Sequence, residues 1–125
     1  MKIPPPLKYT QDHEWVKIEE NVATVGITDF AQGELGEIVY VELDYLHVTL
    51  ERGDAFGSIE AVKTVSELFM PLSGKIIAIN EELEDEPELV NADAYEEDWI
   101  IKIAITEPNE ILSLLDAPAY SKLIS

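Results

Sequence analysis

One lysine in this sequence is set apart by its neighbours. Lys63 follows Gly57-Ser58-Ile59-Glu60-Ala61-Val62 and precedes Thr64-Val65-Ser66-Glu67-Leu68. Both flanks carry the period-two pattern and the β-branched residues of strands, which places the lysine at a hairpin tip. Gly53 lies ten residues before Lys63 and Gly74 eleven residues after it. A primary amine held on such a tip stands clear of the protein body, open to a modifying enzyme. Spacing alone favours an ordinary surface lysine, because lysine is exposed in almost any fold. The turn is itself unusual. Two-residue hairpin loops favour pairs such as Asn-Gly that accept positive φ, and a β-branched residue such as Val62 is strained there.

Other chemistries lack their residues. There is no Gly-x-Ser-x-Gly, no phosphate loop and no metal-ligand spacing, so neither catalytic nor metal-binding residues are expected. With no cysteine, disulfides, thiolate metal sites and a cysteine nucleophile are excluded. His13 beside Glu14 is no dyad, since neighbours on a strand point to opposite faces. The net charge of −18, from 26 acidic and 8 basic residues, repels nucleic acid and anionic membranes. It favours solubility and can steer the protein toward basic partners. The run from Glu81 to Asp98 holds ten acidic residues and no basic one. Leu83, Leu89, Val90, Tyr95 and Trp99 interrupt it, which predicts a folded, solvated edge. No apolar run nears the roughly 20 residues that span a bilayer. The start, Met1-Lys2-Ile3-Pro4-Pro5-Pro6, resembles neither a signal nor a transit peptide, and a cytoplasmic location is expected. At 125 residues the chain is expected to form one domain, 1–125.

Strands are expected at Glu14–Glu19 and Val22–Ile27 around a Glu20-Asn21 turn, then at 37–43, 55–60, 65–70, 75–79 and 99–105. Asp29, with Gln32 in the capping-box place, predicts a helix from Phe30 to Leu35 ended by Gly36. Asn80 is expected to cap a helical turn, and Pro87 to start another. After Pro108 the period becomes helical. Leu112, Leu115 and Ala119 form the expected face, and Pro118 the expected break. The whole predicts a mainly β fold, a compact barrel or sandwich with short helices and a helical C-terminus.

These segments together resemble the glycine cleavage H-protein family. The resemblance rests on Leu7-Lys8-Tyr9-Thr10, His13-Glu14-Trp15-Val16 and Ala23-Thr24-Val25-Gly26-Ile27-Thr28-Asp29-Phe30-Ala31-Gln32. It continues through Leu35 to Leu43, Glu60-Ala61-Val62-Lys63, Pro71-Leu72-Ser73-Gly74, Pro87-Glu88-Leu89-Val90-Asn91, Tyr95, Trp99-Ile100-Ile101-Lys102-Ile103 and Leu114-Leu115-Asp116. One short motif is weak evidence; this many in order are specific.

The resemblance implies a barrel-sandwich hybrid of the lipoyl- and biotinyl-carrier kind, with lipoate in amide linkage to Lys63 and Glu60, Ala61 and Val62 flanking it. It implies a carrier without turnover of its own. The arm would take an aminomethyl group from the decarboxylase (P protein), pass it to the aminomethyltransferase (T protein), and be reoxidised by a dihydrolipoyl dehydrogenase (L protein). A lipoate ligase or lipoyltransferase would load it. A monomer is expected, since one arm must face three enzymes in turn. The resemblance also implies a surface cleft that shelters the loaded arm, where a carboxylate should meet the amine. Glu14, in the matching His13-Glu14-Trp15 segment, is the first candidate, and Glu67, four residues after Lys63, is the second.

The chain departs from the family pattern at Ala61, where serine is usual, at Asp98, where glycine is usual, and in the loop Asp44-Tyr45-Leu46-His47-Val48. Rival readings are an H-like carrier that relays lipoate or serves another lipoate-linked system, a biotinyl carrier, and a binding fold with no arm. Biotinyl carriers place Met on both sides of their lysine, whereas Val62 and Thr64 flank Lys63 here.

Overall fold

A computed structural model describes residues 3–91 and 99–124. Tyr95 and Asp98 lie outside the described residues, as do the last acidic residues of the 81–98 run.

Two antiparallel sheets make up the fold. The larger has the order β1-β2-β3-β9-β8-β5, formed by β1 (Lys8–Tyr9), β2 (Glu14–Glu19), β3 (Val22–Ile27), β9 (Ile101–Ile105), β8 (Gly74–Ile79) and β5 (Thr49–Leu50). The smaller has the order β4-β6-β7, formed by β4 (Ile38–Glu42), β6 (Ala55–Ala61) and β7 (Val65–Phe69). Neither sheet closes into a barrel, so the sandwich half of the expectation describes the fold. The helices are α1 (Asp29–Leu35), α2 (Glu82–Asp85) and α3 (Ala117–Ile124), with 3₁₀ turns at Pro87–Asn91 and Pro108–Ser113. Among the described residues no helix is long and apolar enough to cross a membrane.

Period-two patterning explains the main strands. In β2 and β3, Val16 pairs with Val25 and Ile18 with Ala23, and Glu20 makes the turn with φ 57°. Gly26 stands opposite Trp15. A Cβ there would fall 2.5 Å from the indole, so only glycine lets the ring lie flat on the strand. Inward side chains of both sheets meet in one core that includes Val25, Ile27, Ile76 and Ile103 from the larger and Val41, Ile59 and Leu68 from the smaller. Leu83 and Val90 are fully buried in this core, while Glu81, Glu82, Glu84, Asp85 and Glu86 around them face solvent. The described part of the acidic run is therefore a folded edge. A second cluster joins Leu7, Tyr9 and Trp15 to Ala117 and Tyr120. In it Tyr9 and Tyr120 stack with centroids 4.8 Å apart.

Three local expectations are corrected. The cap of α1 is Thr28, whose hydroxyl accepts from the Ala31 N–H at 3.2 Å, and Asp29 is already helical. A tertiary contact selects it, because the Thr28 hydroxyl also meets the Tyr120 hydroxyl at 2.7 Å. The N-cap position of α2 is Glu81, not Asn80, and the Asn80 side-chain amide donates to the Trp99 carbonyl at 2.9 Å. At the C-terminus two short helices form, as expected, but the break between them falls at 114–116, before Pro118. Asp116 accepts from the Ala119 N–H at 2.9 Å, and Pro118 sits in the first turn of α3, where its missing N–H costs nothing. The packed face of α3 is Ala117 and Tyr120, with Ala119 and Leu112 exposed and Leu115 half-buried.

Candidate functional site

The hairpin β6–β7 carries Lys63 on its tip, as the sequence predicts. Ala61 N–H donates to the Thr64 carbonyl at 2.7 Å, which leaves Val62 and Lys63 as a two-residue turn. Neither has positive φ, so the turn avoids the strain a β-branched residue would suffer there. A second tie steadies it: Val62 N–H donates to the Glu37 carbonyl at 3.1 Å, just before β4. Ala61 is buried opposite Ile38. That explains how the site takes alanine in place of serine: the position asks for a small side chain under the turn. Glu60 faces solvent between Tyr40 and Val65.

Lys63 itself is exposed. Its stem runs past the C-terminal end of α1, where Gly36 has φ 75°. Lys63 Cε and Nζ lie 3.7 Å and 4.0 Å from the point a Cβ on Gly36 would occupy. Glycine here ends the helix and leaves the amine room beside it.

Glu14 is in a different environment. It is only 2% exposed. One carboxylate oxygen accepts from the Phe69 N–H at 3.2 Å and the other from the Thr10 hydroxyl at 3.4 Å. Among the described residues no lysine or arginine pairs with it. Burial pushes its pKa well above the ordinary 4.5, Asp12 nearby pushes it further, and the bonds from Phe69 and Thr10 oppose the shift only in part. β7 is an edge strand, and Glu14 satisfies one of its outward N–H groups. Phe69 is six residues from Lys63, about 20 Å along an extended strand.

Glu67 stays on the surface. It lines a shallow hollow of about 190 Å³ with Glu42, Asp44, Tyr45 and Ser58. Glu42 and Asp44 are close enough there to share a hydrogen bond, which raises the Glu42 pKa. Glu14, on β2, reaches the end of β7 at Phe69 and is buried, whereas Glu67, within β7, is solvated. A larger cavity of about 380 Å³ is bounded by Tyr9, Thr10, Asp12, Arg52, Met70 and Leu115; Glu14 itself does not line it.

Sequence reasoning missed the frame that holds Glu14. His13, at φ 65°, turns its ring the other way, with Nδ1 3.0 Å from the Tyr120 hydroxyl and its face against Phe30 at 4.7 Å. Tyr120, on α3, thus joins the residue before β2 to the cap of α1. The only advance signal was the alternation that sends His13 and Glu14 to opposite sides. No cluster of three or more His, Cys, Asp or Glu able to hold a metal occurs among the described residues.

An open two-sheet fold that presents an exposed lysine on a tied hairpin has the geometry that a carrier of a covalently attached group requires. Comparisons with known proteins agree. The profile of the glycine cleavage H-protein family matches residues 7–125. Glycine cleavage system H proteins from two strains of Staphylococcus epidermidis are 56% identical over 124 residues, 99% of this chain and 98% of theirs. A crystal structure of a glycine cleavage system H protein from Mycobacterium marinum superposes with a TM-score of 0.86. It is 34% identical and covers 96% of this chain and 97% of that one. The chain belongs to the glycine cleavage H-protein family, the carrier component of that multienzyme system.

Proposed function

We propose that Lys63 carries lipoate in amide linkage and that the chain, as one domain, serves the P, T and L proteins in turn without catalysing any step itself. The observation that carries this reading is the exposed Lys63 on a two-residue turn, tied to the Glu37 carbonyl and backed by the buried Ala61. Lipoate held at Lys63 would supply the disulfide–dithiol chemistry of aminomethyl transfer.

The chain's own residues attach and shelter. Lys63 supplies the amine, and the rigid strands fix where the arm starts. A tether of this kind raises the local concentration of the group it bears at each docked active site. Glu14 supplies an acceptor that no lysine or arginine pairs with among the described residues. A primary ammonium brought beside it would meet a carboxylate already desolvated and aimed by Phe69 and Thr10, and burial makes such a pair strong. Glu67 has only solvated neighbours, which supports Glu14 as the retaining group.

The test is a mass measurement with Lys63→Arg. Wild-type protein incubated with lipoate and a lipoate ligase should gain one lipoyl mass on Lys63, and the variant none. Lipoate on another lysine would defeat the assignment. In loaded protein, Glu14→Ala should speed ammonia release without slowing lipoylation. Equal release would remove Glu14 from the site. Glycine-dependent bicarbonate exchange with a P protein separates glycine cleavage from lipoate relay.

A further inference from the structure

Four exposed apolar side chains gather around Lys63, and the fold goes out of its way to expose them. Val62 is 69% exposed at the tip and Val65 is 62% exposed at the start of β7. Across the small sheet, Tyr40, Glu60 and Val65 form one row of direct cross-strand neighbours. Tyr40 is 48% exposed, so this row faces solvent. A register shift between Ile38 and Tyr40 inserts Val39 as an extra residue in β4. Such a bulge breaks the alternation of faces. Here it leaves Val39 and Tyr40 both in solvent, 45% and 48% exposed, instead of returning one to the core. A regular strand would have buried one of them.

Charge surrounds this apolar collar. Glu37, Glu42, Glu60 and Glu67 are all exposed on or beside the same three strands. The collar's strands β4, β6 and β7 bear no basic residue, and Lys63 stands in the turn between β6 and β7. The surface is thus a small apolar ring with an acidic rim, centred on one amine. The partner that fits it has an apolar mouth with a basic rim.

We propose that this collar, Val39, Tyr40, Val62 and Val65 within the acidic rim, is the docking surface for the enzyme that acylates Lys63. The proposal rests on the reading of Lys63 as the lipoylated residue. Geometry selects this partner over the enzymes that use the arm. Acylation joins the neutral Lys63 Nζ to the acyl carbon of an activated lipoate, a mixed anhydride or thiolester. The C–O or C–S bond of the donor breaks, its leaving group departs with the electron pair, and the amine gives up a proton. The donor carbon must come within bonding distance of Nζ, before any arm exists, so the acylating enzyme must cover the residues beside Lys63. Enzymes that act on the far end of the finished arm meet it at arm's length and need not touch the collar. Basic residues around the mouth would steer its approach to the acidic rim.

The experiment compares acylation with later use of the arm. Tyr40→Thr and Val65→Thr put strand-compatible threonine at both positions while removing apolar surface, and the two are combined. Leu112→Ser is the control: Leu112 is exposed and far along the chain from the collar. The double variant should lose at least tenfold in kcat/KM for lipoylation by a lipoate ligase, mainly through KM, and the control should match wild type. Driven to full lipoylation with excess ligase, the double variant should support glycine-dependent exchange with a P protein as wild type does. Thermal melting of each apo variant guards against a folding defect, and Tyr40→Phe, which keeps the apolar ring, should restore most of the rate in the Val65 background. Lipoylation within twofold of wild type would overturn the collar. So would an equal fall in lipoylation and exchange, which would make it a surface common to all partners. Wild-type acylation at a lysine other than Lys63 would overturn the Lys63 reading, a result visible by mass before any variant is made.

Discussion

Replacing Glu14 by glutamine should stabilise the unlipoylated protein, increasingly so as pH rises. Glutamine keeps the shape and can still accept from the Phe69 N–H, but it never ionises. Wild-type Glu14 has its pKa raised well above 4.5 by burial first and by Asp12 second. The folded chain therefore holds this proton over a pH range in which the unfolded chain has released it. Stability then falls as pH climbs from the unfolded pKa of about 4.3 to the raised folded value, and levels off above that. Within that window one group changes stability by up to about 1.4 kcal/mol per pH unit. Below it, wild type and Glu14→Gln should be similar, since both side chains are neutral. Urea unfolding of both proteins at intervals from pH 4 to pH 8 reads the difference directly, because the other acidic residues are shared and cancel. The gap should open in favour of the variant and then plateau. Parallel profiles would refute the claim that Glu14 is buried without a compensating cation. The same variant should retain an ammonium poorly, so stability and shelter make opposite demands on this side chain.

Other outcomes follow from particular contacts. Gly26→Ala places a methyl 2.5 Å from the Trp15 indole and should cost about 1–3 kcal/mol, as overpacking does, with a shift in Trp15 fluorescence; an unchanged melting temperature would contradict it. Tyr120→Phe removes the hydroxyl shared by His13 and Thr28 and should cost about 1–2 kcal/mol, with faster amide exchange in α3 than in β3. The exposed acids at Glu81–Glu86 should make affinity for P or T protein fall with added salt, and a salt-independent affinity would return this acidity to solubility alone.

The sequence by itself determined what depends on near neighbours. Period-two patterning located β2 and β3 to the residue, Gly36 marked the end of α1, and the strand pattern on both sides of Lys63 placed the lysine at a turn. The family motifs, read in order, supplied the carrier role that periodicity could not. What lay outside this local reach was decided by tertiary contacts. Val62 avoids positive φ in a turn whose tip is tied to Glu37, at the edge of another strand. Thr28 is joined to Tyr120, 92 residues away, so the α1 cap falls there and not on Asp29. β1 and β5, two residues each, pair only because β2 and β8 lie alongside, and so short a run has no period to read. Glu14 reads as one more strand glutamate in a chain with many. Its bond to the Phe69 amide, 55 residues on, and its burial between the sheet and the hairpin edge give it a chemistry of its own. A carboxylate's pKa is set by whatever surrounds it in space, and only the folded chain brings those surroundings together.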